Sequence, residues 1–318
     1  MPLNPQTAAL VQAMAAEPSP QTHQLAPEEA RLGYRALAES MGPGPDVKTN
    51  DITISGSNSS IPIRIYSPES TAPLPVMVFF HGGGWVIGDL ETHDRECRIL
   101  STGTPCIVVS VDYRLAPEHP FPAGHVDCWD AVRWVAENAK EINADPARLA
   151  VGGDSAGGNL SAYCALMARD AGLELKLQLL IYPATDGRAH HPDSTHEALP
   201  SMVENADGLF LKRATMNYFS KLVCEGLDPV EVANDWRMSP LLATDHKGVA
   251  PAFIATCELD PIRDEGNLYA EKLSEAGVLV THKEWAGQPH VLFQLSPALD
   301  DGKALLAECV EALRIAFY

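Results

Sequence analysis

The chain is short of positive charge and of long apolar runs. Its 318 residues include 23 Lys and Arg against 42 Asp and Glu, which gives a formal net charge of −19. Nucleic acids and anionic membrane surfaces are polyanions, so both are disfavoured as partners. The longest apolar runs have only the length of a β-strand, and no membrane span is therefore predicted.

The chain also lacks the usual signs of an exported, disulfide-bonded protein. No Lys or Arg occurs in the first thirty residues, and Gln6 and Gln12 interrupt the apolar stretch, which argues against a secretory signal peptide. The seven cysteines form no C-x-x-C pair, and several fall in apolar strand or helix patterns, as is typical of reduced core residues. We therefore expect a cytoplasmic globular protein.

The most informative segment that is present is Gly-Asp-Ser-Ala-Gly at residues 153–157. It lies between a short apolar run at 149–152 and a helix-like segment at 159–169, the pattern of a strand, a sharp turn and a helix. In a G-x-S-x-G turn of this kind, the small residues on either side allow the serine an unusual backbone conformation. The turn would hold the Ser155 hydroxyl above the sheet, which makes Ser155 a candidate nucleophile.

A glycine-rich segment follows another predicted strand. The apolar run at 76–80 leads directly into His-Gly-Gly-Gly-Trp at 81–85. Consecutive glycines expose backbone N–H groups, and a nucleophilic serine needs such donors for the oxyanion that forms when it attacks an ester. Gly82 and Gly83 are the candidate donors, with the N–H of Ala156 as a third. A phosphate-binding loop is not indicated, because the segment has no G-x-G-x-x-G pattern and no Lys after the glycines.

A serine nucleophile needs a general base and a carboxylate that orients this base, in the chain order Ser, acid, His. Asp260 and His290 lie downstream of Ser155, each just past the end of a predicted strand. This shared position makes them the favoured acid and base, because the ends of parallel strands meet at one edge of a sheet. Other candidates stay open, namely Glu258, Asp264 and Glu265 for the acid and His246 and His282 for the base.

These segments together resemble the hormone-sensitive-lipase family of α/β-hydrolases, also called the bacterial family IV esterases. The resemblance spans most of the chain and rests on the segments at 81–85, 112–123, 153–157 and 260–266 and on His290. It implies a catalytic triad and an oxyanion hole, formed by Ser155 as nucleophile, Asp260 as acid, His290 as base, and Gly82, Gly83 and Ala156 as donors. The chain departs from the family at Val291, because relatives commonly place glycine directly after the base.

The order of predicted elements indicates the architecture. Strand-like runs lie near 51–55, 61–66, 76–80, 106–111, 149–152, 177–182, 252–257 and 278–282, and helical patterns separate most of the later ones. This alternation predicts an α/β protein with a mostly parallel sheet and helices on both faces. The resemblance implies the α/β-hydrolase fold with an eight-stranded sheet. It also implies a cap, which divides the chain into an N-terminal cap segment (1–45), a first core part (46–183), a cap insertion (184–245) and a second core part (246–318).

The expected function is that of a serine carboxylesterase acting on short- to medium-chain, uncharged acyl esters through an acyl-enzyme intermediate. Neither a cofactor nor a metal is required by this chemistry. The substrate pocket is expected beneath the cap, lined by the side chains of Trp85, Met202, Leu209 and Phe210.

Other functions are compatible with parts of this sequence. An amidase, formamidase or lactonase would use the same triad, and a small-molecule receptor on the same fold would have lost the base, which His290 disfavours. The histidines at 190, 191 and 196 have neither H-E-x-x-H nor i, i+4 spacing, so no metal site is predicted there. Relatives often form homodimers through the last strand and helix, and a homodimer is compatible with this sequence.

Overall fold

The computed structural model of the chain describes residues 2–16, 20–194 and 196–318. Its sheet has eight strands in the order β1-β2-β4-β3-β5-β6-β7-β8. These are β1 (Lys48–Ser55), β2 (Ser60–Ser67), β3 (Leu74–Phe80), β4 (Ile107–Val111), β5 (Ala144–Asp154), β6 (Leu177–Ile181), β7 (Ala252–Leu259) and β8 (Val280–Pro289). β2 runs antiparallel to both β1 and β4, and the other neighbours are parallel. The predicted α/β-hydrolase sheet is thus confirmed.

Helices cover both faces of this sheet. The helices are α1 (Pro5–Ala15), α2 (Pro27–Ser40), α3 (Asp94–Gly103), α4 (Ala123–Asn138), α5 (Ala156–Ala171), α6 (Pro200–Glu204), α7 (Arg213–Val223), α8 (Pro229–Asn234), α9 (Arg263–Glu275) and α10 (Asp300–Phe317). Residues of α4, α5 and α9 pack in one hydrophobic cluster with Val76 and Val78 of β3. Residues of α3 and α10 pack in a second cluster with Met77 and Phe79. Successive residues of β3 therefore face opposite layers, as the two-residue repeat of a strand requires.

The edge strand β8 is longer than the sequence predicts. The prediction ended near residue 282, whereas β8 extends to Pro289 and ends directly before His290. Residues 281–284 are exposed, because β8 is the last strand in the sheet order and has β7 as its one neighbour among the eight described strands. Pairing with β7, rather than an apolar run, fixes the strand here, so the apolar pattern stops before the strand does.

The two segments predicted to form a cap are helical and contact each other. The N-terminal segment contributes α1 and α2, and the insertion contributes α6, α7 and α8. The Tyr218 hydroxyl in α7 donates to the Leu25 carbonyl at 2.9 Å, and His23 Nδ1 lies 3.1 Å from Thr215 Oγ1. These contacts join the two segments although nearly 200 residues separate them in sequence.

Helix α1 is attached to the far end of the chain. The Asn4 N–H donates to the Gly287 carbonyl at 3.0 Å, and the Thr7 hydroxyl donates to Gln288 Oε1 at 2.7 Å. Gln6 Nε2 donates to Asp300 Oδ2 at 2.8 Å. The helix thus lies against the end of β8 and the start of α10.

Among the described residues, no helix combines the length and the apolar character needed to cross a membrane.

Candidate active site

Ser155 occupies the sharp turn between β5 and α5. Its backbone has φ +56° and ψ −118°, a conformation that side-chain-bearing residues rarely adopt. The turn forms because its neighbours are small: a Cβ at Gly153 would lie 2.2 Å from the Phe80 carbonyl oxygen, and one at Gly157 only 1.9 Å from it. The Ser155 N–H donates to the Ile181 carbonyl at 2.8 Å, which ties the turn to β6.

The structure brings Ser155, His290 and Asp260 into one hydrogen-bonded line. His290 Nε2 lies 2.9 Å from Ser155 Oγ, and His290 Nδ1 lies 2.6 Å from Asp260 Oδ2. Asp260 follows β7 and His290 follows β8, so parallel strand ends position both side chains. A carboxylate only accepts hydrogen bonds, so Nδ1 carries the proton and the Nε2 lone pair faces the serine hydroxyl. The second carboxylate oxygen, Oδ1, accepts the Ile262 N–H at 3.0 Å and fixes the Asp260 side chain.

The competing acids have other partners. Glu258 Oε2 accepts the Gly287 N–H at 2.6 Å, and Asp264 Oδ2 accepts the Ser201 N–H at 2.8 Å. Glu265 accepts the N–H groups of residues 185 and 186. None of the three carboxylates bonds to His290 among the described residues.

The competing bases are also placed elsewhere. His246 Nε2 lies 3.0 Å from the Pro240 carbonyl oxygen, and His282 Nε2 lies 3.0 Å from Thr256 Oγ1. Neither imidazole is among the residues that line the cavity at Ser155. Of the three histidines considered as the base, the geometry therefore brings His290 alone to Ser155.

The prediction of Gly82 as an oxyanion donor is wrong. Its N–H donates to Asp154 Oδ1 at 2.9 Å, so this group is already used inside the protein. The next two glycines are different: no hydrogen bond within the described residues uses the N–H of Gly83 or of Gly84. Both glycines line the cavity together with Ser155 and Ala156, whereas Gly82 does not. Gly84 was missed because three identical glycines do not reveal which N–H groups are occupied.

Two buried histidines beside the glycine loop have opposite electrostatic surroundings. Burial and the neighbouring His93 lower the pKa of His81 to about 4, so this imidazole is neutral at physiological pH. Burial also opposes charge on His93, but the Asp154 carboxylate 3.0 Å away outweighs it, so the pKa of His93 is raised. Burial likewise opposes charge on Asp154, and the His93 imidazolium more than offsets this and lowers the pKa of the carboxyl. No local sequence pattern indicates His93, which follows the glycine loop without belonging to any motif.

Arg31 of α2 holds the glycine loop from outside. Its Nε donates to the Val86 carbonyl at 2.8 Å and its Nη2 to the Ala116 carbonyl at 2.9 Å. The guanidinium also forms a paired contact with both carboxylate oxygens of Glu118. The N-terminal helix thereby joins the loop that follows β3 to the loop that follows β4.

The loop after the base keeps the conformation that a glycine would favour. Val291 stands where relatives commonly have glycine, and its φ is +65°. A β-branched residue in this region of backbone space is strained. The valine therefore does not change the course of the loop, although it adds a side chain to the cavity wall.

A cavity of about 530 Å³ opens above Ser155. Three of the four predicted lining residues, Trp85, Leu209 and Phe210, line it. The prediction for Met202 is wrong, because its side chain is buried behind the cavity wall, where it packs in one cluster with Met216 and Ile262, which do line the cavity. Most of the further lining comes from the two cap segments, for example Leu25, Tyr34 and Phe219.

The histidine-rich segment at 190–196 is only partly connected to the cavity. His190 lines it and is buried, with Nε2 2.8 Å from Glu265 Oε1. Within the described parts of the chain, no group of three or more potential ligands is arranged to hold a metal ion. His190 therefore belongs to a buried ion pair in the cavity wall.

Comparisons with known proteins agree with this geometry. A protein family described by its α/β-hydrolase fold matches residues 77–294. Carboxylesterase NlhH of Mycobacterium tuberculosis is 45% identical over 260 residues, which cover 80% of this chain and 78% of that protein. An arylesterase of Saccharolobus solfataricus is 38% identical over 243 residues, 76% of each chain. The solved structure of a hyperthermophilic esterase from Pyrobaculum calidifontis is 36% identical, covers 99% of both chains and superposes with a TM-score of 0.91.

Proposed function

The chain belongs to the hormone-sensitive-lipase family of α/β-hydrolases and is a carboxylic ester hydrolase, and from this premise we propose that Ser155, His290 and Asp260 are its catalytic triad. The observation that carries the proposal is the line of two hydrogen bonds, 2.9 Å from Ser155 to His290 and 2.6 Å from His290 to Asp260. This geometry supplies a nucleophile, a base with its lone pair directed at the nucleophile, and a carboxylate that orients the base.

In the first half of the reaction, His290 Nε2 takes the Ser155 hydroxyl proton as Oγ attacks the ester carbonyl. The resulting oxyanion accepts hydrogen bonds from the N–H groups of Gly83, Gly84 and Ala156. The first N–H groups of a helix have no partner within the helix, so Ala156 at the start of α5 is available for this role. The His290 imidazolium then protonates the leaving alcohol, and the C–O bond to the alcohol breaks.

In the second half, a water molecule gives a proton to His290 and attacks the acyl-enzyme carbonyl. The same three N–H groups stabilise the second oxyanion, and the carboxylic acid leaves as Ser155 Oγ regains the proton. Asp260 stabilises the imidazolium in both halves because it is buried and only 2.6 Å from Nδ1.

The proposed substrates are uncharged esters of short- to medium-chain acids. The cavity volume of about 530 Å³ is typical of small-molecule sites. The walls beside Ser155 are largely apolar, with Leu25, Phe210 and Phe219 among the lining side chains. Each buried methylene of an acyl chain contributes about 0.8 kcal/mol, so such walls favour chains that fill the cavity.

Residues 1–45 and 184–245 are proposed to act as the cap over this site. Their described parts supply lining side chains from α2 and α7 and contact each other above the sheet. A cytoplasmic location is also proposed. All seven cysteines are buried as free thiols, a state that a reducing compartment preserves.

A serine-directed organophosphate tests the proposed nucleophile. Diethyl p-nitrophenyl phosphate should release one equivalent of p-nitrophenol per chain and leave a diethylphosphoryl adduct on the peptide that contains Ser155. The Ser155→Ala variant should form no adduct and should lose turnover by several orders of magnitude. Ser161→Ala is the matched control, because Ser161 lies in α5, the helix that follows the turn, and donates to the Gly157 carbonyl at 2.7 Å instead of facing His290. An adduct on another residue, or turnover by Ser155→Ala near the wild-type rate, would contradict the proposal.

A further inference from the structure

His93 lies completely buried at the start of α3, behind the turn that carries Ser155. Its Nε2 is 3.0 Å from Asp154 Oδ1, and its Nδ1 is 2.9 Å from Thr92 Oγ1. The side-chain amide of Gln294 lies 3.1 Å from the same Nε2. Gln294 follows the base by four residues, so His93 contacts both the nucleophile turn and the loop of the base.

The contacts around His93 involve both of its ring nitrogens. The Thr92 hydroxyl is 2.8 Å from the Asp89 carbonyl oxygen, which can only accept a hydrogen bond. The single hydroxyl proton is used there, so Nδ1 must donate to Thr92 Oγ1. Nε2 faces the Asp154 carboxylate at 3.0 Å, which can accept a hydrogen bond from it, and the amide nitrogen of Gln294 at 3.1 Å. His93 is therefore in hydrogen-bond contact through both ring nitrogens, and the Asp154 carboxylate, which favours the charged imidazolium, raises the pKa of His93 against the effect of burial.

Asp154 connects this charge to the oxyanion donors. Its Oδ1 accepts both the His93 Nε2–H and the Gly82 N–H at 2.9 Å. A Cβ at Gly82 would lie 2.4 Å from Asp154 Oδ2, so the loop backbone rests directly on the carboxylate. Asp154 is also the residue before Ser155. One carboxylate thus sets the distance between the nucleophile and the start of the glycine loop.

The glycine loop needs such a fixed point. Glycine has more backbone freedom than any other residue, so three in succession do not hold their own N–H groups in place. Preorganised donors stabilise an oxyanion only if they already point at it when the charge forms. The Gly82 N–H bond restrains the loop one residue before Gly83 and two before Gly84.

We propose that His93 is a positioning residue for ester hydrolysis, which acts through Asp154 to hold the N–H groups of Gly83 and Gly84 at the oxyanion position. This inference rests on the proposed function, since it assumes Ser155 as the nucleophile and these glycines as donors. His93 itself does not contact the cavity, so its effect is confined to the stabilisation of the transition state.

Three variants test the proposal with p-nitrophenyl butyrate as substrate. His93→Phe keeps a planar ring but removes both donors, and kcat should fall about 10- to 100-fold while KM changes less than about twofold. His93→Gln places a donor near the position of Nε2 and should recover kcat to within about fivefold of wild type. His246→Phe is the matched control for the loss of a buried imidazole, because the ring of His246 bonds to the Pro240 carbonyl and neither residue lines the cavity. It should lower Tm without changing kcat.

Inhibitor binding separates positioning from a general loss of structure. A trifluoromethyl ketone analogue of the butyrate ester forms an oxyanion with Ser155, whereas the corresponding methyl ketone binds largely as the neutral ketone. In His93→Phe, the affinity for the trifluoromethyl ketone should fall in parallel with kcat/KM, and the affinity for the methyl ketone should stay within about twofold. If both affinities are unchanged, or fall together, the proposed role of His93 is wrong.

A double-variant cycle keeps the proposal testable if His93→Phe is poorly folded. Asp154→Asn retains an acceptor for Gly82 but removes the charge that pairs with His93. If His93 acts through Asp154, combining His93→Gln with Asp154→Asn should lower kcat no further than the more damaging single variant. Fully additive losses would overturn the inference. The proposed function itself fails by a different result, turnover without an intact Ser155, whatever the His93 variants do.

Discussion

The ring of Phe219 in α7 packs directly against the α-carbon of Gly84, so closely that a Cβ at Gly84 would lie 2.1 Å from Phe219 Cδ2. A residue of the cap insertion therefore contacts a proposed oxyanion donor. Gly84 also has φ +60°, which disfavours any side chain. The cap and the oxyanion loop consequently have to be compatible in shape, and this relationship can be tested.

Gly84→Ala should lower kcat at least 100-fold, because the new methyl group must displace either the loop or the Phe219 ring. Adding Phe219→Ala to this variant should restore part of the activity, since it removes the clash. Gly42→Ala is the control: Gly42 has φ +78° and open space around it, so it should cost only about 1 kcal/mol of stability and no activity. The measurement is kcat for p-nitrophenyl butyrate in each variant. An equal loss of kcat in Gly84→Ala and in the double variant would contradict the steric explanation.

Asp260→Asn should lower kcat by about 10⁴-fold, because an amide cannot stabilise the imidazolium and permits the wrong imidazole tautomer. Glu258→Gln should remain within a few fold of wild type, since a Gln carbonyl can still accept the Gly287 N–H that Glu258 accepts at 2.6 Å. Steady-state kinetics of the two variants compare the competing acids directly. An inactive Glu258→Gln beside an active Asp260→Asn would reverse the assignment.

The acyl-chain optimum should fall between butyrate and hexanoate. The gain is up to about fourfold in kcat/KM per methylene until the cavity is full, after which further carbons must displace packed side chains. Phe210→Ala should move the optimum to longer chains because Phe210 lines the cavity. Met202→Ala is a matched control that should lower Tm and leave the optimum unchanged, because Met202 is buried behind the wall. A series of p-nitrophenyl esters from two to sixteen carbons measures this, and a rate still rising beyond twelve would contradict a closed acyl pocket.

His125 should make the protein less stable as pH falls below neutrality. It is buried between Phe121 and Tyr163, and burial lowers its pKa from 6.5 to about 4 despite a hydrogen bond from Nε2 to Asn159 Oδ1 at 3.1 Å. Between these two values the unfolded chain binds a proton at this position that the folded chain does not. Between pH 6.5 and about pH 4, the free energy of unfolding therefore decreases as the pH decreases, by up to about 1.4 kcal/mol per pH unit.

This contribution is absent in His125→Phe. From pH 7 to pH 4, the free energy of unfolding of the wild type should therefore decrease by about 3 kcal/mol relative to that of the variant. Urea unfolding at several pH values measures the difference. Tyr163→Phe, which leaves the imidazole in place, should keep the wild-type pH dependence. Parallel curves for wild type and His125→Phe would show that His125 is not the source.

The sequence was most informative where one local pattern determines the structure. The apolar run at 76–80 and the turn at 153–157 predict β3 and the position of Ser155, because both depend on neighbouring residues in the chain. The length of β8 was underestimated because its outer half is fixed by pairing with β7 rather than by apolar residues.

The errors in the site have a related cause. Gly82, Gly83 and Gly84 look alike in sequence, and only the direction of the Asp154 carboxylate determines which N–H is occupied. Met202 was placed in the pocket on its apolar character, but the path of the insertion directs it into another cluster. The first result depends on a contact between residues 72 positions apart and the second on how the insertion folds back on itself, and no local pattern records either.

The attachment of α1 to the opposite end of the chain also sets the order of events during synthesis. Thr7 and Gln6 bond to residues 281 and 294 positions further along, so their partners do not yet exist when α1 leaves the ribosome. At typical elongation rates the delay is roughly 15 to 60 s. Throughout that interval these bonds of α1 cannot form. The proposed triad has the same constraint, because His290 follows β8 and is synthesised 135 residues after Ser155.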